Sequence, residues 1–401
     1  MPTADFTQLL RKDIQEYIFE HETADEKSLV LQSKEILDVP TFLIAQQIAG
    51  RRKAKYKLPT WYATKGIIYP PSINLEQSSS EATAKYKSSI ISKGKIAADL
   101  TGGFGVDSFF ISKQFDRFYY VEPDEQLLSV VKHNHTLLGA DNIQYVNSSA
   151  EEFIRHTVEQ FDLLFIDPSR RNKQQKVFKL ADCIPNVVEL LPALIGKSKR
   201  ILIKNSPLLD IHEGIRELEG ADDVMVIAVN NECKELLFSL SRQITSSASI
   251  RAIDIDTKAN RSSSFAFKQE DEKRTIVQFS SPQEWIYEPS AALLKAGAFK
   301  TIVVRYEISK LHPNTHLYTS ENQIKFLSGR TFRIRQHLKM DKNIKELFPN
   351  GHANILTRNY PLSVEEIKKK TGLKEGGDLY LICTQSENEK HVLLAERIIL
   401  S

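Results

Sequence analysis

The stretch from Lys95 to Asp107 (KIAADLTGGFGVD) limits the fold of this chain more than any other. Ile96 to Leu100 reads as a short buried strand, the glycines as a turn, and Val106 as the opening of a helix. A strand that enters a helix through glycines brings free backbone N–H groups close to whatever binds there, so it is the kind of βα turn that cradles a nucleotide. A dinucleotide turn carries G-x-G-x-x-G, which lets a pyrophosphate approach the backbone. Here Gly103-x-Gly105 is followed by Ser108 where the third glycine would stand, and Asp99 ends the strand with a carboxylate that would repel a pyrophosphate. A ligand with an ammonium group and no phosphate suits such a turn. The alternative is a plain glycine turn in some other α/β domain.

The 401 residues are too many for one ordinary core, so two or three domains are expected. The formal net charge of +3 is nearly balanced, and any basic surface must be local. Cys183, Cys233 and Cys383 stand far apart with no C-x-x-C, which argues against disulfides and zinc and fits a reducing cytoplasm. Cys183, in a helix, and Cys233, in a hairpin turn, read as buried small hydrophobes. His312 and His316 have metal-compatible spacing but no further ligands nearby, so no metal is expected. The N-terminus carries acids and lacks the apolar core of a signal peptide, and no run approaches the ~18 apolar residues of a membrane span.

Residues 1–71 form a helical region by periodicity, with Phe6, Leu9, Leu10, Ile14, Tyr17 and Ile18 at helical spacing. Asp25 caps a second helix reaching Ile36, and Pro40-Thr41 opens a third. Arg51, Arg52, Lys53, Lys55 and Lys57 interleave with Tyr56 and Trp61, either as a phosphate-binding patch or as a solvated helix end. After Pro70-Pro71, Ser79 or Ser80 caps a helix that reads as packing beneath a sheet.

A βαβ series follows. Phe118–Asp124 is a second strand ending in acid; Glu122 lies where such folds place the carboxylate that holds both ribose hydroxyls, with Asp124 as runner-up. A third strand ends near Asn147, a fourth (Leu163–Ile166) ends at Asp167, and a fifth ends at Lys204. Two β-rich runs flank Asn230-Asn231-Glu232 as a hairpin. Five parallel strands closed by such a hairpin are not a dinucleotide fold. Residues 248–282 read as extra antiparallel strands, and Ser363-Val-Glu-Glu366 is a capping box whose helix Gly372 stops.

Several of these pieces carry a family resemblance. D-x-T-G-G-x-G-x-D (Asp99 to Asp107) resembles the first motif of class I S-adenosylmethionine-dependent methyltransferases. The segment from Gln77 to Lys87 (QSSSEATAKYK), Asp167-Pro-Ser-Arg-Arg171, and the pieces R-N-Y-P, G-G-D-L-Y and G-R-T-F resemble methyltransferases with a C-terminal THUMP-like domain, over almost the whole chain. The resemblance implies an α/β architecture: a Rossmann-like, seven-stranded class I sheet over residues 72–285 with extra strands near its end, and an α+β THUMP-like domain over 286–401. It implies S-adenosylmethionine as cofactor, bound by Asp99, Thr101, Gly102, Gly103, Gly105, Asp107, Glu122, Pro123, Ser149 and Asp167. The loop Asp167, Pro168, Ser169, Arg170 is similar to the D-P-P-Y and D-P-P-R loops that place an acceptor base beside the methyl donor, although Ser169 replaces a proline and Arg170 the stacking aromatic. Arg170, Arg171 and Lys204 are the expected substrate contacts, the arginines as a bidentate phosphate grip.

The expected activity is thus methylation of RNA, a tRNA or rRNA base, in the cytoplasm. THUMP domains deliver structured RNA, and Arg330, Arg333, Arg335, Lys339, Lys342 and Lys345 add a local basic cluster. The rivals are a protein or small-molecule methyltransferase, and a catalytically inactive RNA-binding protein on the same fold.

Overall fold

The computed structural model describes residues 6–170, 179–242 and 247–399. The chain divides into two compact units, Met1–Asp222 with Leu237–Thr245, and Asp223–Leu236 with Ser246–Ser401.

In the first unit the N-terminal helices share a core of Leu9, Ile14, Ile18, Val39, Ile44, Ile48 and Ile68. Asp25 caps the helix Glu26–Gln32 through the Ser28 N–H. That helix stops short of Ile36, because Glu35-Ile36 and Val39-Pro40 form a small antiparallel ladder across Leu37 and Asp38, both at positive φ. The next helix, Thr41–Lys57, begins at the expected Pro40 cap. Its cations are spent on local partners. Arg51 pairs with Glu22 at 3.0 Å and lies over the Tyr62 ring, Arg52 pairs with Glu26, Lys53 with Glu76, and the Lys57 ammonium donates to Leu75 O and Glu76 O at 2.8 Å. Trp61 is wholly buried, edge-on to Phe109. This is internal packing, not a phosphate patch.

The parallel strands are β1 (Gly94–Asp99), β2 (Phe115–Val121), β3 (Ile143–Val146), β4 (Leu163–Ile166) and β5 (Arg200–Asn205). They lie in the order β3-β2-β1-β4-β5, and beside β5 runs the half of β7 (Glu232–Ser241) that belongs to this unit, Leu237–Ser241. Every residue of β4 is buried, as expected of a parallel strand covered on both faces. Between β4 and β5, the backbone of Ser169-Arg170 pairs antiparallel with Cys183-Ile184. Cys183 is therefore in a strand, not the expected helix.

In the second unit β6 (Asp223–Val229) turns into the first half of β7 at Asn230-Asn231, both at positive φ (51° and 66°), the geometry of a two-residue hairpin. Cys233 is the second residue of β7, its thiol 3.1 Å from Ala291 O. β8 (Ser249–Asp256) runs parallel to β6 and β9 (Arg261–Lys268) antiparallel to β8, so only the second of the extra strands has the expected direction. A separate seven-stranded sheet follows: β10 (Trp285–Pro289), β11 (Ser309–His312), β12 (Thr315–Ser320), β13 (Gly329–His337), β14 (His352–Arg358), β15 (Lys374–Gln385) and β16 (Lys390–Ile398), in the order β11-β12-β10-β13-β16-β15-β14. Ile286, Phe332, Ile382 and Leu393 are among the buried residues of its core. The capping box at Ser363 and Glu366 forms, and Gly372 ends that helix in the left-handed region.

Among the described residues no helix is long and apolar enough to cross a membrane, and no group of His, Cys, Asp and Glu is arranged to hold a metal.

Candidate functional site

The site grows from the C-terminal ends of β1, β2, β4 and β5, where an open parallel sheet exposes its loops. After Asp99 the chain turns through Leu100–Gly105 into the helix Val106–Ser112. Gly105 caps that helix at φ +73°, and a Cβ there would lie 2.6 Å from Val131 and 2.7 Å from His135, so glycine is required twice over. The turn is pinned from behind. The Tyr120 hydroxyl donates to Gly103 O at 2.6 Å, and His135 Nε2 is 3.0 Å from Gly105 O. Burial pushes the His135 imidazole down to about 4, so it is neutral; a carbonyl can only accept, which puts the proton on Nε2 and leaves Nδ1 to accept from Tyr145. At Gly103, by contrast, the Cβ direction is open, its nearest neighbour being Thr101 O at 3.7 Å.

Asp99 is buried and occupied within the turn. One oxygen accepts from the Thr101 N–H (3.0 Å), the other from the Ser108 hydroxyl (2.5 Å). Burial pushes its carboxyl up to about 7; those hydrogen bonds oppose the shift, and Asp107 and Asp167 add to it. Asp99 thus organises the turn, and at 1% exposure its side chain faces the turn and not an incoming ammonium group as the sequence suggested. Glu122, at the end of β2, accepts from the N–H groups of Asp124 (3.0 Å) and Gly103 (2.9 Å), so its carboxylate stands against the backbone of the turn. Burial pushes this carboxyl up as well, against those two bonds. Asp124, its runner-up, is the N-cap of Glu125–Leu137. Ser149 caps Ala150–His156 through the Glu152 N–H, and the Asn147 amide donates to Glu122 O and Pro123 O, both at 3.0 Å. These contacts tie the loops after β2 and β3 together.

A buried charged cluster lies at the ends of β4 and β5. The Lys204 ammonium sits 2.6 Å from Asp167 and 3.5 Å from Asp107. Lys87, wholly buried on the helix Glu81–Ser89, sits 2.9 Å from the other oxygen of Asp107. Ser79 joins them: its hydroxyl donates to Asp107 (2.6 Å) and accepts from Lys87 and from Lys204, both at 2.9 Å. One donor and two lone pairs are thereby all used. Burial pushes Asp107 up, but the two ammonium groups and Ser79 outweigh it and hold its carboxyl below the usual range. Asp167 is pushed up by burial against the pull of Lys204; a third of its side chain stays open to solvent, so the site opens there. Its backbone N–H donates to the Thr101 hydroxyl at 2.7 Å, which ties the β4 loop to the glycine turn.

The structure therefore brings together Asp99, Thr101, the glycines, Asp107, Glu122, Asp167 and Lys204. Pro168 is buried next to Asp167, and Ser169 is exposed, its hydroxyl donating to Ile184 O at 3.3 Å. Arg171 lies outside the described residues, as does the side chain of Arg170. Sequence reasoning passed over Ser79 and Lys87 as parts of a packing helix. A signal existed, since Lys87 stands between Ala84 and Ile91 in the inward stripe, where a cation is out of place without an anion to meet.

In the second unit, the three arginines of the expected basic cluster are paired. Arg330 meets Glu288, Arg333 meets Glu284 at 2.8 Å, and Arg335 meets Glu396. His316 stacks on Phe299, and His312 accepts from the Asn314 N–H, which gives both histidines structural contacts.

A ferredoxin-like domain model matches residues 285–326, and a THUMP domain-like model matches residues 329–397. The crystal structure of a candidate methyltransferase from Porphyromonas gingivalis W83 superposes with a TM-score of 0.86 at 30% identity, covering 98% of this chain and 99% of that one. Over 322 residues the chain is 21% identical to an uncharacterized S-adenosylmethionine-dependent methyltransferase of Mycobacterium tuberculosis, found in strains CDC 1551 / Oshkosh and ATCC 25618 / H37Rv; the match spans 78% of this chain and 83% of the relative. With a methyltransferase sheet, a glycine turn faced by Glu122 and a THUMP-like match at its end, this chain belongs to the S-adenosylmethionine-dependent methyltransferases that carry a C-terminal THUMP-like domain.

Proposed function

We propose that this methyltransferase modifies RNA, at a base of tRNA or rRNA, with Asp167, Pro168, Ser169 and Arg170 placing the acceptor. The observation that carries the reading is Asp167 itself: it is anchored through its N–H to Thr101 and through one oxygen to Lys204, while a third of its side chain stays open. The THUMP-like match over residues 329–397 supplies the RNA part.

The residues fit S-adenosylmethionine. The open side of Gly103 leaves room against the backbone, and Glu122 presents a carboxylate suited to ribose hydroxyls. No phosphate needs a cation here, and Lys204 is already engaged with two aspartates. Bound there, the cofactor supplies an electrophilic methyl group on a sulfonium. The chain's own share is positioning, which lowers the barrier of an in-line displacement by fixing direction and distance in advance. The Asp167 carboxylate accepts an N–H of the acceptor, which turns the nitrogen lone pair toward the methyl group. It also opposes the positive charge that grows on that nitrogen as the bond forms. Asp99, half-protonated near pH 7 and shut inside its turn, takes no part in this and keeps the turn in shape.

The paired arginines of the second unit favour one rival, a protein or small-molecule acceptor, because cations bound to Glu284, Glu288 and Glu396 are poorly placed to receive phosphates. Mass spectrometry of nucleosides from tRNA and rRNA of a gene-deletion strain separates the two. One methylated nucleoside should vanish, and return with the wild-type gene but not with Asp167→Ala. An unchanged RNA profile in that strain, with the purified wild-type protein still binding S-adenosylmethionine, would move the acceptor to protein or a small molecule.

A further inference from the structure

Two lysines and two aspartates meet in one buried cluster, and their distances are unequal. Lys204 is close to Asp167 (2.6 Å) and further from Asp107 (3.5 Å), whereas Lys87 is close to Asp107 (2.9 Å). We propose that Lys87 is a positioning residue for methyl transfer: by neutralising Asp107 it leaves the Lys204 ammonium to Asp167, and so holds the Asp167 carboxylate in the orientation that receives the acceptor. This rests on the reading of Asp167 given above.

The physical case is a competition for one cation. Asp107 is buried, and a buried carboxylate without a counter-charge is costly. Two cations serve two anions as long as Lys87 is present. Without it, Asp107 and Asp167 share Lys204 alone. Asp107 is the more deeply buried of the two, 8% exposed in its side chain against 33% for Asp167, so it has the greater need. Lys204 has less than an ångström to move to change its preference. Ser79 makes the exchange easy, because its hydroxyl already touches Asp107 and both ammonium groups. Asp167 would then lose its closest cation while Asp99 and Asp107 remain as acidic neighbours. The charged groups acting on Asp167 are thus Lys204 and Lys87 on one side and Asp107 and Asp99 on the other; Thr101 holds only its backbone N–H. Lys87 sits against Asp107 and Ser79, both of which also meet Lys204, so a route from Lys87 to Asp167 runs through them.

The test is the titration midpoint of Asp167 in the full chain, read from carbon-13 carboxyl shifts of aspartate-labelled protein, in wild type, Lys87→Met, Asp107→Asn and the double variant. Lys87→Met should raise the midpoint by about one pH unit, a tenfold change in proton affinity. In the Asp107→Asn background the same substitution should raise the midpoint clearly less, by the direct pull of the Lys87 charge alone, because Lys87 then has no anion to neutralise. An unchanged midpoint in Lys87→Met, or an equal rise in both backgrounds, would overturn the proposal. If Lys87→Met does not fold, Asp107→Asn decides: release of Lys204 to Asp167 should lower the midpoint, and an unchanged value would overturn the proposal. Failure here is separable from failure of the Asp167 reading. Full turnover in Asp167→Ala would remove that reading and leave the titrations intact, whereas flat titrations would remove Lys87 and leave Asp167 in place.

Discussion

The two units use the same kinds of ion pair to different ends. In the first, Lys87, Lys204, Asp107 and Asp167 are sunk at the ends of parallel strands, share Ser79, and leave one carboxylate open. In the second, Arg333 with Glu284 and Arg335 with Glu396 lie at the surface, each side chain between 39% and 49% exposed. Desolvation makes the difference. A buried charge must have its partner, so the first cluster fixes geometry and every member depends on the rest. An exposed pair trades water for a partner at almost no gain. Ion pairs therefore point to function where they are buried and unequal, and to little more than solubility where they are exposed.

The largest expected effect breaks the buried cluster. Lys87→Met strands Asp107 and should cost about 3–5 kcal/mol of stability, read from denaturant melts. By contrast, Arg333→Ala should cost no more than about 1 kcal/mol, and an equal loss from the two would erase the contrast between the units. Between these lies cofactor binding. Glu122→Gln should weaken S-adenosylmethionine by roughly 1.5–3 kcal/mol in calorimetry, the range for a hydrogen bond to a charged group, while Asp99→Asn should weaken it much less because Asp99 is shut inside the turn at 1% exposure.

The pH dependence of stability sharpens the account of Asp99. Its carboxyl is raised to about 7 in the folded chain, so between about pH 4 and pH 7 the folded state holds a proton that the unfolded state has released. That contribution to stability is present at low pH and lost as the pH rises through this window. Asp99→Asn should remove it, and the difference in melting temperature between variant and wild type should change across the window in the variant's favour. A difference that stays flat from pH 4 to pH 7 would mean the carboxyl is not raised.

Much of this was legible in the chain because backbone demands leave marks in residue type. Gly103 and Gly105 stand at positive φ, Asn230-Asn231 take the same region in a two-residue turn, and Ser363 with Glu366 closes a capping box; each is a local requirement that few residues satisfy. The acids that end β1, β2 and β4 were visible for the same reason, as polar residues closing apolar runs. Their division of labour was not visible. Asp99 was expected to meet the ligand but faces its own turn, because Ser108, nine residues on, reaches back to it from the helix. Lys87 and Ser79 were hidden more deeply: Ser79, which accepts from Lys87, meets Lys204 only through the tertiary fold, more than a hundred residues later. The runs of cations at Arg51–Lys57 and Arg330–Arg335 misled in the other direction, since composition does not show that Glu22, Glu26, Glu284 and Glu396 are folded against them.

Asp167→Ala tests the central claim most directly, with turnover and cofactor affinity measured on the same preparation. The acceptor is RNA from the deletion strain, the donor is S-adenosylmethionine labelled in its methyl group, and calorimetry reports cofactor binding. If Asp167 orients the acceptor, turnover falls on the order of a hundredfold, the loss expected from misplacing a reacting group, and cofactor affinity stays within a factor of a few. A variant that methylates as fast as wild type, or that loses cofactor and turnover in parallel, would show Asp167 to be part of the scaffold and not of the acceptor site.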